Sequence, residues 1–330
     1  MSTLGEFVGK LGRVGLQATV GVTAGALAQV AGLGGGVFDL FGRTLGIKML
    51  LQGHHIGAQL VSRPVASFRY FEFPFVRFAL EEFARDSADD TGGGRRGGNG
   101  WGSRGSSDLH CLDVGSPFLF SLFARSVGLA STVDIVNPDH GDVQLALLAA
   151  RVLGLHGVET HTTTIQSFGA QAKAGAYDAI WSISVVEHVP GEDGDVEAVR
   201  AMWRLLKPGG LLVLTVPVAR RFTIQRSGTD AYGLGLAPDK EGLYFFQRLY
   251  DLSALHERIV DTVEVRPMHM RWFGERTEGT YRRYFDAWSQ GRDLLPITDP
   301  IRMLLQYRAF ASWADMPGLG VCGLVLRKDE

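Results

Sequence analysis

The chain has 330 residues and a formal net charge of -2, which gives no sign of a nucleic-acid-binding surface. Two cysteines exclude a disulfide framework, and no spacing among the nine histidines predicts a metal site. An apolar fraction of 45% permits a sizeable core, and this length predicts one catalytic domain with additions.

Residues 1–61 are rich in Gly and Ala, and residues 14–38 carry no charge. That length could span a bilayer, but the stretch holds little Leu or Ile. It is predicted to be a helical extension that packs on the domain, on a partner protein or on a membrane surface. A bilayer span and a signal peptide cleaved after Ala26-Leu27-Ala28 are the alternatives. Residues 62–85 hold the run Phe68-Arg69-Tyr70-Phe71-Glu72-Phe73-Pro74-Phe75, predicted to anchor against the domain. Residues 86–107 are dominated by Gly, Arg, Asp and Ser and predict a flexible linker. The main domain is expected over 108–330.

Its first strand is short and apolar, from Leu109 to Val114, and ends in an acid and a glycine, Asp113-Val114-Gly115-Ser116-Pro117. Gly115 suits a turn where a ligand approaches the backbone, and Pro117 suits the first turn of the helix that follows. A second strand covers Thr132 to Val136, a helix Asp142 to Gly154, and a third strand Val158 to Thr163. A fourth strand runs through Tyr177-Asp178-Ala179-Ile180-Trp181-Ser182-Ile183-Ser184; Asp178 falls at its amino end and is read as structural. Glu187 and His188 follow its carboxyl end. A helix from Val196 to Leu206 stops at Lys207-Pro208-Gly209-Gly210, before the buried parallel strand Leu211-Leu212-Val213-Leu214-Thr215-Val216. Further on, a helix is expected over Gln247–Ile259, a strand over Asp261–His269, and a last strand over Gly320–Arg327. Cys111 and Cys322 are expected on strands that are not neighbours, as two buried thiols.

Taken together, Leu112-Asp113-Val114-Gly115-Ser116-Pro117, Ser184-Val185-Val186-Glu187-His188 and Leu206-Lys207-Pro208-Gly209-Gly210 resemble the nucleotide-binding half of a class I S-adenosylmethionine-dependent methyltransferase, of the type 11-like family. The resemblance runs from about Leu109 to Val218. It implies an α/β fold, doubly wound on a mostly parallel seven-stranded sheet, and S-adenosylmethionine as cofactor. It implies that Asp113 and Gly115, with Ser116 and Pro117 beside them, hold the methionine and ribose parts of the cofactor. It implies a ribose acid at the end of the second strand, for which Asp134 is the first candidate and Asp139 the second. It implies a polar contact to the adenine beyond the third strand, for which Gln166 is the candidate, and it places Ser184 near the transferable methyl group. His188 is either a general base or a brace for its loop, and bracing is the reading preferred.

Pro117 and Leu119 stand where the family's second and third glycines are usual. That departure argues against a nicotinamide dinucleotide site, which needs the G-x-G-x-x-G turn. It also leaves open a non-catalytic relative that serves as a binding or scaffold module. The implied activity is methyl transfer to a small-molecule, lipid or glycan acceptor in the cytoplasm, with membrane association if residues 14–38 seek a surface. Acceptor recognition is expected in an insertion at about 274–317 and its flank, where Trp272, Phe273, Tyr281, Tyr284, Phe285, Trp288, Phe310 and Trp313 lie among arginines. Half of these aromatics are expected to fill core.

Overall fold

The structure, a computed structural model, describes residues 35–90, 108–233, 235–289 and 299–330, with residues 88–90 and 288–289 described by backbone alone. Eight strands form the main sheet in the order β3-β2-β1-β4-β5-β10-β8-β9. They are β1 (His110–Val114), β2 (Thr132–Val136), β3 (Val158–His161), β4 (Tyr177–Ile183), β5 (Leu206–Val218), β8 (His269–Glu275), β9 (Tyr307–Phe310) and β10 (Gly320–Arg327). Strands β1 to β5 pair in parallel, and β10 inserts antiparallel between β5 and β8. The expected seven strands are thus joined by an eighth, β9, antiparallel on the outer edge of β8. A separate hairpin pairs β6 (Thr223–Ser227) with β7 (Tyr244–Leu249).

Both faces of the sheet are covered, which is why β5 is buried from Gly210 onward and reads as an unbroken apolar run. One face packs against α1 (Gly36–Leu51), α3 (Arg69–Asp90), α4 (Phe118–Ser126) and α5 (His140–Leu153); α2 (Gly57–Ser62) lies against α1. The described part of the amino-terminal extension therefore belongs to the domain core. Phe38 of α1 sits 4.5 Å from the Phe123 ring and 5.2 Å from the Phe73 ring, between α4 and α3. Its buried Asp39 takes both Arg43 and the Tyr70 hydroxyl. Close approach explains one departure in the glycine run: Leu119 is buried beneath α1, where a Cβ on Gly42 would come within 3.1 Å of it. The opposite face packs against α7 (Gly194–Leu205) and α8 (Leu252–Leu255), the latter continuing as a π-turn through His256–Val260. The short α6 (Ile165–Gln171) follows β3.

Two expected elements differ. Gln247, Arg248 and Leu249 belong to strand β7 rather than to a helix, because the aromatic run Tyr244-Phe245-Phe246 finds β6 as a partner. Helix α8 starts only after Asp251, whose carboxylate caps the Ala254 N–H. The alternation in Asp261-Thr262-Val263-Glu264-Val265 imitates a strand, yet Glu264 has a φ of 56°, which breaks the extended chain; the strand begins at His269. Helix α3 runs to Asp90, past the expected start of the linker, and residues 91–107 lie outside the described residues, as do 1–34. The expected partner or membrane contact of 14–38 therefore lies almost wholly outside them. Among the described residues, no helix is long and apolar enough to cross a membrane. Cys111 and Cys322 are free, buried thiols, as expected.

Candidate active site

Strand order reverses direction between β1 and β4, and a doubly wound sheet opens its binding crevice at the carboxyl ends of such a pair. Here those ends are Gly115 and Ser184. Gly115 has a φ of 63° and donates its N–H to Val136 O at 2.8 Å; a Cβ would meet Val185 at 2.8 Å. Only glycine permits both that φ and that approach. The turn is fastened from within. The Ser116 hydroxyl accepts the Ile183 N–H at 2.9 Å, while the Ser116 N–H donates to Asp113 at 3.1 Å. Asp113 also takes the Ser121 hydroxyl and is wholly buried; burial raises its carboxyl to about 6. Asp113 and Ser116 thus hold the turn in shape, and their polar atoms are engaged with protein. Pro117 leaves α4 without a side-chain cap, so the first-turn N–H groups of that helix lack a side-chain partner at this edge.

Asp134 requires a correction. Its carboxylate accepts the Tyr177 hydroxyl at 2.7 Å and lies 3.3 Å from His110 Nε2. Tyr177 and His110 are the first residues of β4 and β1, so Asp134 turns toward the amino edge, away from the crevice. The buried Tyr177 hydroxyl needs an acceptor, and Asp134 supplies it. Asp139, the second candidate, stands at the carboxyl edge. Its Oδ1 caps α5 through the N–H groups of Gly141 and Asp142, at 2.7 and 3.1 Å, and its Oδ2 remains open. Asp178 is structural as expected: it binds Lys207 at 2.7 Å and the His110 N–H at 2.9 Å. Gln166 lies on α6 and reaches Gly194 O at 3.5 Å. One grouping that spacing along the chain did not reveal has metal-ligand proximity: Asp134, Glu159 and His161 place ligand atoms within 4.8 Å of one another. Adjacent strands bring them onto one face of the sheet.

Ser184 is held at a φ of 48°, a conformation uncommon outside glycine and frequent at functional sites. Its N–H donates to Thr215 Oγ1 at 3.0 Å, and its hydroxyl donates to Glu72. Glu72 comes from α3, is fully buried, takes Thr215 Oγ1 at 2.8 Å and pairs with Arg69. The aromatic lead-in therefore delivers an ion pair to the carboxyl edge of the sheet. The i, i+3 spacing of Arg69 and Glu72 was the available signal, but nothing local told it from a solvated helix pair.

Beyond Ser184 lies a cavity of about 400 Å³. Pro117, Ser184, Glu187 and His188 floor it, the segment from Pro64 to Arg69 lines one side, and Tyr232, Phe246, Tyr281 and Phe285 line another. Of the aromatics expected at the acceptor site, Tyr281, Tyr284 and Phe285 face this cavity. Trp272 fills core, Phe273 stacks on Phe71, Phe310 and Trp313 carry Arg308 and Arg220, and the Trp288 side chain is outside the described residues.

His188 Nδ1 lies 2.8 Å from Phe246 O and Nε2 lies 3.2 Å from the Tyr232 hydroxyl. A carbonyl only accepts, so Nδ1 carries the proton and Nε2 accepts from Tyr232. Burial lowers the imidazole to about 4, against the raising effect of the Phe246 carbonyl, with Arg69 lowering it further; His188 is neutral at pH 7. Glu187 is 1% exposed. Its Oε2 is buried without a hydrogen-bond partner, and desolvation raises its carboxyl well above the ordinary range. Arg248 of β7 secures the turn that carries both residues by donating to Val189 O at 2.7 Å and to Gly191 O.

Residues 112–214 match the family model described as "Methyltransferase domain". Comparison with curated proteins finds no match. Solved structures that resemble the chain include a putative sarcosine dimethylglycine methyltransferase from Galdieria sulphuraria, at 15% identity and TM-score 0.44, covering 77% of this chain and 86% of that one. A geranyl diphosphate C-methyltransferase from Streptomyces coelicolor has 14% identity and TM-score 0.41, covering 68% and 71%. A 1,6-didemethyltoxoflavin-N1-methyltransferase from Burkholderia thailandensis has 12% identity and TM-score 0.42, covering 87% of each chain. Their acceptors belong to those proteins. The matched residues run from β1 into β5, strands that stand in the order expected of the class I S-adenosylmethionine-dependent methyltransferase fold, so this part of the chain is similar to that family.

Proposed function

We propose that the cavity beside Ser184 is where the methyl group of S-adenosylmethionine meets a small-molecule acceptor, or the head of a lipid or glycan. The observation that carries this is the cavity of about 400 Å³ at the switch point between β1 and β4. That volume falls in the usual range of about 300–1,000 Å³ for small-molecule sites. The residues present fit the cofactor. The uncapped first turn of α4 suits the cofactor carboxylate, the buried Glu72 beside Ser184 suits its amino group, and the open Oδ2 of Asp139 suits a ribose hydroxyl. Gly115 keeps the floor of the crevice free of side chain, and Gln166 stands beyond β3 on the adenine side.

The cofactor supplies an electrophilic methyl group on a sulfonium, whose departure leaves a neutral thioether. The chain's task is alignment and exclusion of water, and alignment alone can be worth about 7–11 kcal/mol in favourable cases. Ser184, fixed by Thr215 and Glu72, sets the level of the reacting centre. His188 braces the Glu187 turn against β7 through its Nδ1–H and offers Nε2 to Tyr232. The aromatic wall excludes solvent.

Calorimetry with S-adenosylhomocysteine tests the cofactor site; a dissociation constant near about 1 μM, or -8.2 kcal/mol, is expected. A protein that does not bind it would be a non-catalytic relative of the fold.

A further inference from the structure

We propose that the acceptor is an amine, which enters as an ammonium ion and takes Glu187 as its counterion inside an aromatic enclosure; this rests on the cavity being the acceptor site. Two independent features converge. The first is the wall. Tyr232 and Phe246 stack at 5.9 Å and 2°, Phe246 lies 5.7 Å from Phe285, and Phe285 lies 6.3 Å from Tyr281. Aromatic faces attract cations, the more strongly where water is excluded. The second is the charge inventory. Arg69 and Glu72 from α3 are paired with each other. Asp195, at the start of α7, is held by Arg258 at 2.7 Å, by the Tyr250 hydroxyl at 2.8 Å and by Arg248 at 3.5 Å. His188 is neutral, and Tyr232 and Tyr281 resist ionisation through burial. Among the described residues that line the cavity, Glu187 is the carboxyl without a Lys or Arg ion pair: Arg69 acts on it only through its field, one of its oxygens lacks any hydrogen-bond partner and the other lies 3.7 Å from His188 Nε2.

A buried carboxyl in that position stays protonated until a cation arrives. An ammonium ion completes an ion pair there and displaces one proton to solvent. A carboxylate or an alcohol takes at most a hydrogen bond from the protonated carboxyl and forms no ion pair with it. Within the complex, the ammonium passes a proton to the Glu187 carboxylate, which frees the nitrogen lone pair. That pair forms the N–C bond as the C–S bond breaks, and its electrons remain on sulfur. The products are the neutral thioether and a methylammonium ion; over the cycle one proton has gone to solvent.

The test uses the full chain loaded with S-adenosylhomocysteine and three probes that share a phenyl ring: benzylamine, benzyl alcohol and benzoate. Calorimetry should show benzylamine binding at least about tenfold more tightly than the alcohol, as expected for a desolvated cation on aromatic faces. Its apparent heat should vary with the ionisation heat of the buffer, reporting the released proton. Glu187→Gln should bring benzylamine to parity with the alcohol and abolish proton release, with S-adenosylhomocysteine affinity retained. Equal or tighter binding of the alcohol or of benzoate by the wild type would overturn the proposal without any variant. So would a Glu187→Gln protein that loses affinity for S-adenosylmethionine but not for S-adenosylhomocysteine, because Glu187 would then serve the cofactor sulfonium. Failure of the wild type to bind S-adenosylhomocysteine would instead overturn the cofactor reading beneath it.

Discussion

The two edges of the sheet carry similar residues in opposite states. At the amino edge, Asp134 takes Tyr177 and His110, and Asp178 takes Lys207 and the His110 N–H. At the carboxyl edge, Glu187 is more deeply buried and has an unpartnered oxygen beside a cavity. Leaving a buried polar group unpaired costs about 1–3 kcal/mol. Buried His161 Nε2 and Trp181 Nε1 are also unpartnered, but of the three only Glu187 lines the cavity. A carboxylate's partners therefore discriminate structure from function better than its place in a motif does.

That contrast can be broken most directly at the ribose position. Asp139→Ser keeps a capping side chain on α5 but removes the charge and shortens the reach. S-adenosylhomocysteine binding should weaken by about 1–3 kcal/mol, read by calorimetry. The opposite-edge counterpart is Asp134→Ala, which strands the Tyr177 hydroxyl. It should lower unfolding stability by about 1–3 kcal/mol, measured by denaturant titration, and leave cofactor affinity near wild type. If the two variants exchanged phenotypes, the assignment of edges would be wrong. His188→Asn should cost about 1 kcal/mol of stability through the lost bond to Phe246 O, and the methylation rate should fall less than about tenfold. A loss of about 10²–10⁴-fold, together with the disappearance of a pH-dependent limb, would make His188 the base instead.

The smallest effect concerns Asp299, on the helix α9 (Asp299–Gln306), which accepts the Ser67 N–H at 2.7 Å beside the same cavity. Desolvation raises it to about 7, so the fold retains a proton that the unfolded chain gives up near pH 4. Wild-type stability is therefore eroded as pH climbs from about 4 to 7, and Asp113, raised to about 6, adds in the same direction. Asp299→Asn should melt higher relative to wild type at pH 8 than at pH 5, in thermal scans at matched ionic strength. A constant difference across that range would mean that Asp299 is already ionised in the fold.

Much of this architecture was legible before any coordinate. Strand β5 shows as an apolar run because both of its faces are covered, and β1, β2 and β4 end in recognisable turns. The elements that misled did so for local reasons. Residues 261–269 alternate like a strand but contain a left-handed Glu264, and Gln247–Leu249 could not reveal that β6, some twenty residues earlier, would pair with them. In the site, Gly115, Pro117, Ser184 and His188 reach the crevice. Asp113 and Ser116 reach it only as the braces of its turn. Asp134 has the right spacing and the right neighbours for a ribose contact, and still faces the other way.

The sequence by itself determined the class of fold, because strand periodicity, turn glycines and the order of motifs are local properties written along the chain; the cofactor is what the resemblance carried by those motifs implies. Tertiary structure alone decided which carboxylates are satisfied. Glu72 meets Ser184 across 112 residues, His188 meets Phe246 across 58, and Asp134 meets Tyr177 across 43. Whether a buried acid is a brace or a binding group depends on the donors brought to it, and those donors arrive only when distant elements pack.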